Sequence, residues 1–300
     1  MKTLLVPVDL TAAAEHTVVY ANKLAVRLDA EVVLLYCHHS GLSAAAAAGY
    51  EQRLAALAER LRYVQLVRQH GRRIRYRYAV RAGCLHDHVS SVVDAYGAEL
   101  LLMNLEHTDC GEPATHGNHA VRIAELASCP VLVVPPGVRP LPTRLAFLAD
   151  FSRAELPAAG SLGPLTQALG AELQLVHFYP QLAALGRAKQ AMQRIRQSLP
   201  AGRVTARLVH DDDPLEGIGE FCAQRHTQLL IFAPADATEL RRFFDVSYAK
   251  TQAYHTRIPI LVLRQARRPA AAFCCEQCAR RQAPPRFEPT RPDYHSIRWA

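Results

Sequence analysis

The strongest constraint on this chain is a repeat: one order of short apolar strands and amphipathic helices occurs twice, offset by roughly 140 residues. Thr3-Leu-Leu-Val-Pro-Val-Asp9 opens the first copy and Leu145-Ala-Phe-Leu-Ala-Asp150 the second, each an apolar run ending in an acid. The copies also close alike, Ala127-Ser-Cys-Pro-Val-Leu-Val-Val134 being matched by Thr256-Arg-Ile-Pro-Ile-Leu-Val-Leu263. Between these ends, the first copy predicts strands over 31–36, 73–80 and 99–103 and helices over 15–28, 44–70, 86–96 and 118–127. The second predicts strands over 172–177, 204–209 and 228–232, and helices over 156–169, 182–199, 214–226 and 247–255. Strict alternation of this kind builds βαβ units around a mainly parallel sheet, so the fold class is α/β in two tandem domains. Pro135-Pro136-Gly137 and Pro140-Leu-Pro142 mark the linker. The domains are expected over 1–137 and 143–264, with a basic extension containing Pro and Cys over 265–300.

Composition narrows the class of partner. The chain has 300 residues, which suits two domains of about 150, and half are hydrophobic, enough for two cores. No apolar run approaches the ~18 residues of a membrane span. The N-terminus lacks the apolar stretch and small-residue cleavage site of a secretory leader, so the expected location is the cytoplasm. The net charge is +8, but residues 264–300 carry eight arginines against Glu276, Glu288 and Asp293, which leaves only +3 for the rest. That surplus is too thin for a groove that tracks phosphates, so a nucleic-acid partner is not expected. The eight cysteines are spread thinly and read as buried or free thiols rather than a disulfide framework. Cys275 and Cys278, behind Cys274, form a C-x-x-C pair that could donate thiolates to zinc or act as a redox couple.

The acid-terminated first strand, the Cys-Pro-Val-Leu-Val-Val ending and the element order together resemble the universal stress protein family in its tandem two-domain form, over about residues 2–263. The resemblance implies that each half is a five-stranded parallel sheet with helices on both faces, of the adenine-nucleotide alpha hydrolase-like type. It also implies a nucleotide site in some members, with Val8 and Asp9 at the base and a Gly-x-x-Gly, nine residues, Gly-Ser/Thr pattern around the phosphates. On this chain those positions are Asn104, His107, Gly117 and Asn118, so only the third glycine is kept. Side chains at 104 and 107 would crowd a tightly wrapped triphosphate, because glycine is what lets the backbone approach closely. The second copy departs further, with Ala233 and Asp236 at the first two positions. ATP or ADP is thus a candidate ligand for the first half only.

In a parallel α/β sheet, ligands bind beyond the carboxyl ends of the strands. Those ends present Asp9, His38, His39, His86, His88, Asn104 and His107 in the first half, and Asp150, His177, His210 and Asp236 in the second. For Asp9 and Asp150 there are two readings: a hydrogen bond to the following loop or helix, or contact with a ligand. Asp150, His177 and His210 are the candidate metal trio, since imidazole and carboxylate suit zinc. No Walker lysine or nucleophile elbow occurs, and Cys84 near His86 and Asp87 is a triad in one dimension only. The leading expectation is a non-catalytic stress-response protein that binds a small ligand or a protein partner. It pairs its own two domains and has edge strands available for a homodimer. The alternatives are an ATP/ADP-binding protein and a metal-dependent hydrolase.

Overall fold

The computed structural model describes residues 2–39, 41–66, 74–109, 118–152, 159–179, 182, 185–199, 204–211, 214–244 and 258–263. Its first half runs β1 (Lys2–Pro7), α1 (Ala12–Leu28), β2 (Ala30–His38), α2 (Ala44–Leu66), β3 (Tyr76–Ala82), α3 (Leu85–Tyr96), β4 (Leu100–Asn104), α4 (Asn118–Leu126) and β5 (Val131–Val134). The second half runs β6 (Arg144–Ala149), α5 (Ala159–Leu169), β7 (Glu172–Tyr179), α6 (Leu185–Ser198), β8 (Val204–His210), α7 (Pro214–Arg225), β9 (Leu229–Ala233), α8 (Ala237–Phe244) and β10 (Ile260–Val262).

Local chemistry sets these bounds. Helix α1 starts where the Thr11 hydroxyl accepts the Ala14 N–H, and it stops at Asp29, which adopts a left-handed φ of 52°. Its buried positions include Ala14, Val18, Ala21 and Ala25, a stripe at helical spacing. The central strands are apolar on both faces because both are covered. Leu4, Val6, Val32 and Leu34 face one core cluster with α1, α2, α5 and α6. Leu5, Val33 and Leu35 face the other with α3, α4, α7 and α8.

All ten strands form one sheet in the order β3-β2-β1-β4-β5-β10-β9-β6-β7-β8. Each half thus repeats the same strand order, and the two meet where β5 and β10 pair antiparallel, with Leu132 opposite Leu261. All the other strand pairs are parallel. The sequence led us to expect two five-stranded sheets, and the structure joins them into one mixed, mostly parallel sheet. The reason lies in β5 and β10, short apolar strands whose open edges satisfy each other's backbone groups. Behind the seam, α4 meets α8, and Arg241 forks onto Glu125 Oε1 at 3.0 and 2.7 Å.

Helix α8 was not read from the sequence, which placed its helix over 247–255, outside the described residues. Among the described residues no helix is long and apolar enough to cross a membrane.

Candidate functional site

Chain direction puts the ends of β1, β2 and β4 at one rim, and the side chains just past them enclose a cavity of about 130 Å³. Its polar lining is Asp9, Cys37, His39, His107, Thr108 and Asp109, against an apolar floor that includes Val8 and Leu35. Val8 is tied down by its N–H to the Leu35 carbonyl at 2.8 Å. The next turn is strained, because Leu10 sits at φ 60°, a left-handed conformation uncommon for a side chain of this size.

Asp9 holds this rim together. Its Oδ1 accepts the Thr11 N–H (3.1 Å) and hydroxyl (2.6 Å), while Oδ2 accepts the Thr108 N–H (2.9 Å) and hydroxyl (3.1 Å). Burial alone would raise its pKa, but these hydrogen bonds and the neighbouring His107 outweigh burial and hold the carboxyl below its ordinary value. Asp9 thus straps the β1 and β4 loops together.

Asp109 does the same for α3. The residue before that helix is Cys84, which offers no side-chain cap. Asp109 supplies one from 24 residues away, its Oδ1 accepting the Leu85 N–H at 2.6 Å. Its Oδ2 meets His86 Nδ1 at 2.9 Å. That bond outweighs burial and raises the His86 pKa, and despite burial Asp109 itself is held low by the same pairing.

With both carboxylates engaged, the group left over is His107. It is buried, and its Nδ1 has no hydrogen-bond partner among the described residues, lying 3.8 Å from Asp9 Oδ2. Burial pushes its pKa down against the pull of Asp9 and Asp109, so the ring is neutral. Cys37 is a free thiol whose pKa is pushed up to about 12, by burial first and then by Asp109, so it stays protonated. Asn104 is fully buried at the end of β4, with Oδ1 accepting the Glu106 N–H at 3.3 Å and Nδ2 without a partner among the described residues. Its backbone is not left-handed, so the turn at this position folds without glycine. Gly117, the side chain of Asn118, and Cys275 and Cys278 lie outside the described residues.

Beside the cavity, His38 and His39 stack at 4.9 Å, His38 packs on Tyr50 at 5.2 Å, and Tyr50 on Tyr36 at 4.5 Å. His88 Nε2 bonds the Ala82 carbonyl at 2.7 Å and takes no part in the cavity.

The second half repeats the turn that follows β1. Asp150 Oδ1 accepts the Ser152 N–H (3.0 Å) and hydroxyl (2.6 Å), as Asp9 does with Thr11. Its side chain is 42% exposed, against 4% for Asp9, so it faces water rather than an enclosed pocket. The fully buried Phe151 ring stands edge-on to His177, and His177 Nδ1 accepts the Phe151 N–H at 3.4 Å. His177 comes within 4.0 Å of Asp150, whereas His210 is exposed and packs on Tyr179. Asp150, His177 and His210 do not converge as a donor cluster among the described residues; the group that does is Cys84, His86 and Asp87. Beyond β9, Asp236 Oδ1 accepts the Thr238 and Glu239 N–H groups (2.8 and 2.9 Å), and Glu239 returns to the Ala235 N–H. That reciprocal cap places two carboxylates at the N-terminus of α8, where a phosphate would need to sit.

Of the residues lining the cavity, the sequence had singled out Val8, Asp9, His39 and His107 but not Cys37, Thr108 and Asp109 as candidates. For Asp109 the local signal was absent, because the helix it caps lies 24 residues upstream.

The comparisons with known proteins agree with this layout. Residues 1–135 match the model of the universal stress protein family. A universal stress protein from Archaeoglobus fulgidus superposes with a TM-score of 0.61 at 12% identity, covering 88% of this chain and 96% of its own. A protein of unknown function from Pseudomonas aeruginosa PAO1 does so at 0.56 and 14% identity, covering 88% and 92%. The cytoplasmic domain of a prokaryotic cation chloride cotransporter follows at 0.52 and 13%, covering 87% and 94%. No curated protein matches the sequence. The chain has the fold of the universal stress proteins, with that family's sequence pattern in its first 135 residues.

Proposed function

We propose that this chain is a non-catalytic ligand-binding protein of stress-response type, and that its working site is the cavity at the rim of the first half. The observation that carries the reading is His107, a buried neutral imidazole whose Nδ1 has no partner among the described residues and which lines the cavity. Leaving a buried polar atom unmet costs about 1–3 kcal/mol, and a bound molecule that meets it recovers part of that cost.

Size and charge select the class. A cavity of about 130 Å³ is well short of the roughly 300–1,000 Å³ typical of drug-sized ligands. It is close to the ~150 Å³ that holds a benzene ring. Two ionised carboxylates at its wall oppose a polyphosphate and favour an uncharged ring with polar edges, such as a nucleobase. Cys37, kept as a thiol, is a weak nucleophile, which favours binding over catalysis. Metal-dependent hydrolysis at Asp150, His177 and His210 gains no support from their separation.

Equilibrium titration with adenine, adenosine, AMP, ADP and ATP, with and without magnesium, tests the reading. Adenine or adenosine should bind with micromolar affinity, and phosphates should add nothing. His107→Leu should weaken binding about tenfold, the equivalent of one hydrogen bond of ~1.4 kcal/mol. Tightening from AMP to ATP, abolished by Gly117→Trp, would instead favour a nucleotide cradle beyond β4.

A further inference from the structure

The start of α3 carries a second set of chemical groups, joined to Asp109 through His86. Cys84, His86 and Asp87 each offer one donor atom, and the three lie within 4.8 Å of one another. His86 Nε2 is 3.5 Å from Asp87 Oδ1. Tetrahedral zinc, with bonds of about 2.0–2.1 Å to nitrogen and oxygen, spaces such donors about 3.3 Å apart.

An independent feature concerns the histidine's other nitrogen. His86 Nδ1 is held at 2.9 Å by the buried Asp109 carboxylate, which directs Nε2 toward the cluster. A carboxylate behind the far nitrogen is the arrangement that orients a metal-binding histidine and raises its basicity. Cys84 and His86 are buried while Asp87 is exposed, so an ion has a route in and a water can complete the set. Thiolate and carboxylate together neutralise a divalent cation and offset the positive end of the helix.

Cys84, however, is disulfide-bonded in this structure, and a disulfide sulfur is a poor metal ligand. The other described cysteines, Cys37, Cys129 and Cys222, are free thiols, so its partner lies outside the described residues. We propose that Cys84, His86 and Asp87 form a divalent-metal site of zinc-like donor chemistry that is closed while the Cys84 disulfide is intact and opens when it is reduced. A dithiol reductant supplies two electrons and two protons. The S–S bond breaks to two thiols as the reductant becomes a disulfide. The metal then displaces the Cys84 thiol proton and binds the sulfur, Nε2 and one Asp87 oxygen.

The test uses the full chain carrying Cys→Ser changes at those of Cys274, Cys275 and Cys278 that disulfide mapping shows are not the Cys84 partner, which removes the competing C-terminal thiols. Cobalt(II) is titrated into the oxidised protein and into protein reduced by a dithiol that is then removed under anaerobic conditions. The reduced protein should take up one equivalent with a thiolate-to-cobalt charge-transfer band, and the oxidised protein should show none. Cys84→Ser should abolish the band. Asp87→Asn, at an exposed side chain that leaves the fold intact by circular dichroism, should weaken uptake at least about tenfold. No band after reduction, a band of equal strength before it, or uptake unchanged in Asp87→Asn would each overturn the proposal.

Discussion

Asp9 and Asp109 look alike in the sequence as acids near strand ends, yet each spends its oxygens on the protein itself. Asp9→Asn should cost about 1.5–3 kcal/mol in urea unfolding at neutral pH, because the bonds it loses are charge-assisted. Both carboxyls have folded pKa values below the ordinary 3.8, so their stabilisation is complete above that value and is lost as pH falls through the depressed ones. The two histidines have opposite signs. The His86 pKa is raised from 6.5 by Asp109, so its contribution is complete below pH 6.5 and declines as pH rises through the raised value. The His107 pKa is lowered by burial, so its neutral form costs nothing above pH 6.5 and stability falls as the solution becomes more acidic. The stability gap between wild type and His86→Gln should therefore shrink from pH 6 to 9. His107→Leu should gain on wild type from pH 7 to 5, and pH-dependent urea midpoints of the three proteins would show both trends.

At the level of elements, apolar runs bounded by Pro, Gly and acids made all ten strands legible to within about three residues. What stayed hidden were features decided by distant partners. Helix α8 is short and rich in Arg and Glu, and it is held by Leu240, Phe243 and Phe244 against the sheet rather than by a long periodic pattern. The first turns of α7 are also set by tertiary contact: a Cβ on Gly217 would run into the Asp211 carboxylate and the Phe178 ring. Gly217→Ala should thus cost about 1–3 kcal/mol, the usual penalty of overpacking. Adding Asp211→Ser should recover part of that loss, and a double-mutant cycle read by thermal unfolding would measure how much. If Gly217→Ala is neutral alone, the close approach of α7 to the β8 end is not a constraint.

For the whole molecule, the repeat foretold two similar halves but not that their sheets would fuse. Nothing in Pro130-Val-Leu-Val-Val134 says whether its edge partner lies in the same chain. Because β5 is paired with β10, that edge is closed to a second copy, and the sheet ends instead at β3 and β8. The Arg241–Glu125 pair behind the seam has an arginine side chain 48% exposed, so its coupling should be no more than about 1 kcal/mol. Duplication also freed the halves to diverge. The first keeps a cavity beside His107, whereas in the second Phe151 packs edge-on to His177 and the Asp236–Glu239 cap sets two carboxylates at the start of α8. One site per chain is the outcome this divergence predicts, and calorimetric titration of the chain with adenosine, alongside His107→Leu and His177→Leu, measures it most directly. We expect a stoichiometry of one, weakened about tenfold by His107→Leu and unaltered by His177→Leu. Two sites per chain, or an affinity indifferent to His107, would show that the buried imidazole is a structural residue and that the ligand binds elsewhere.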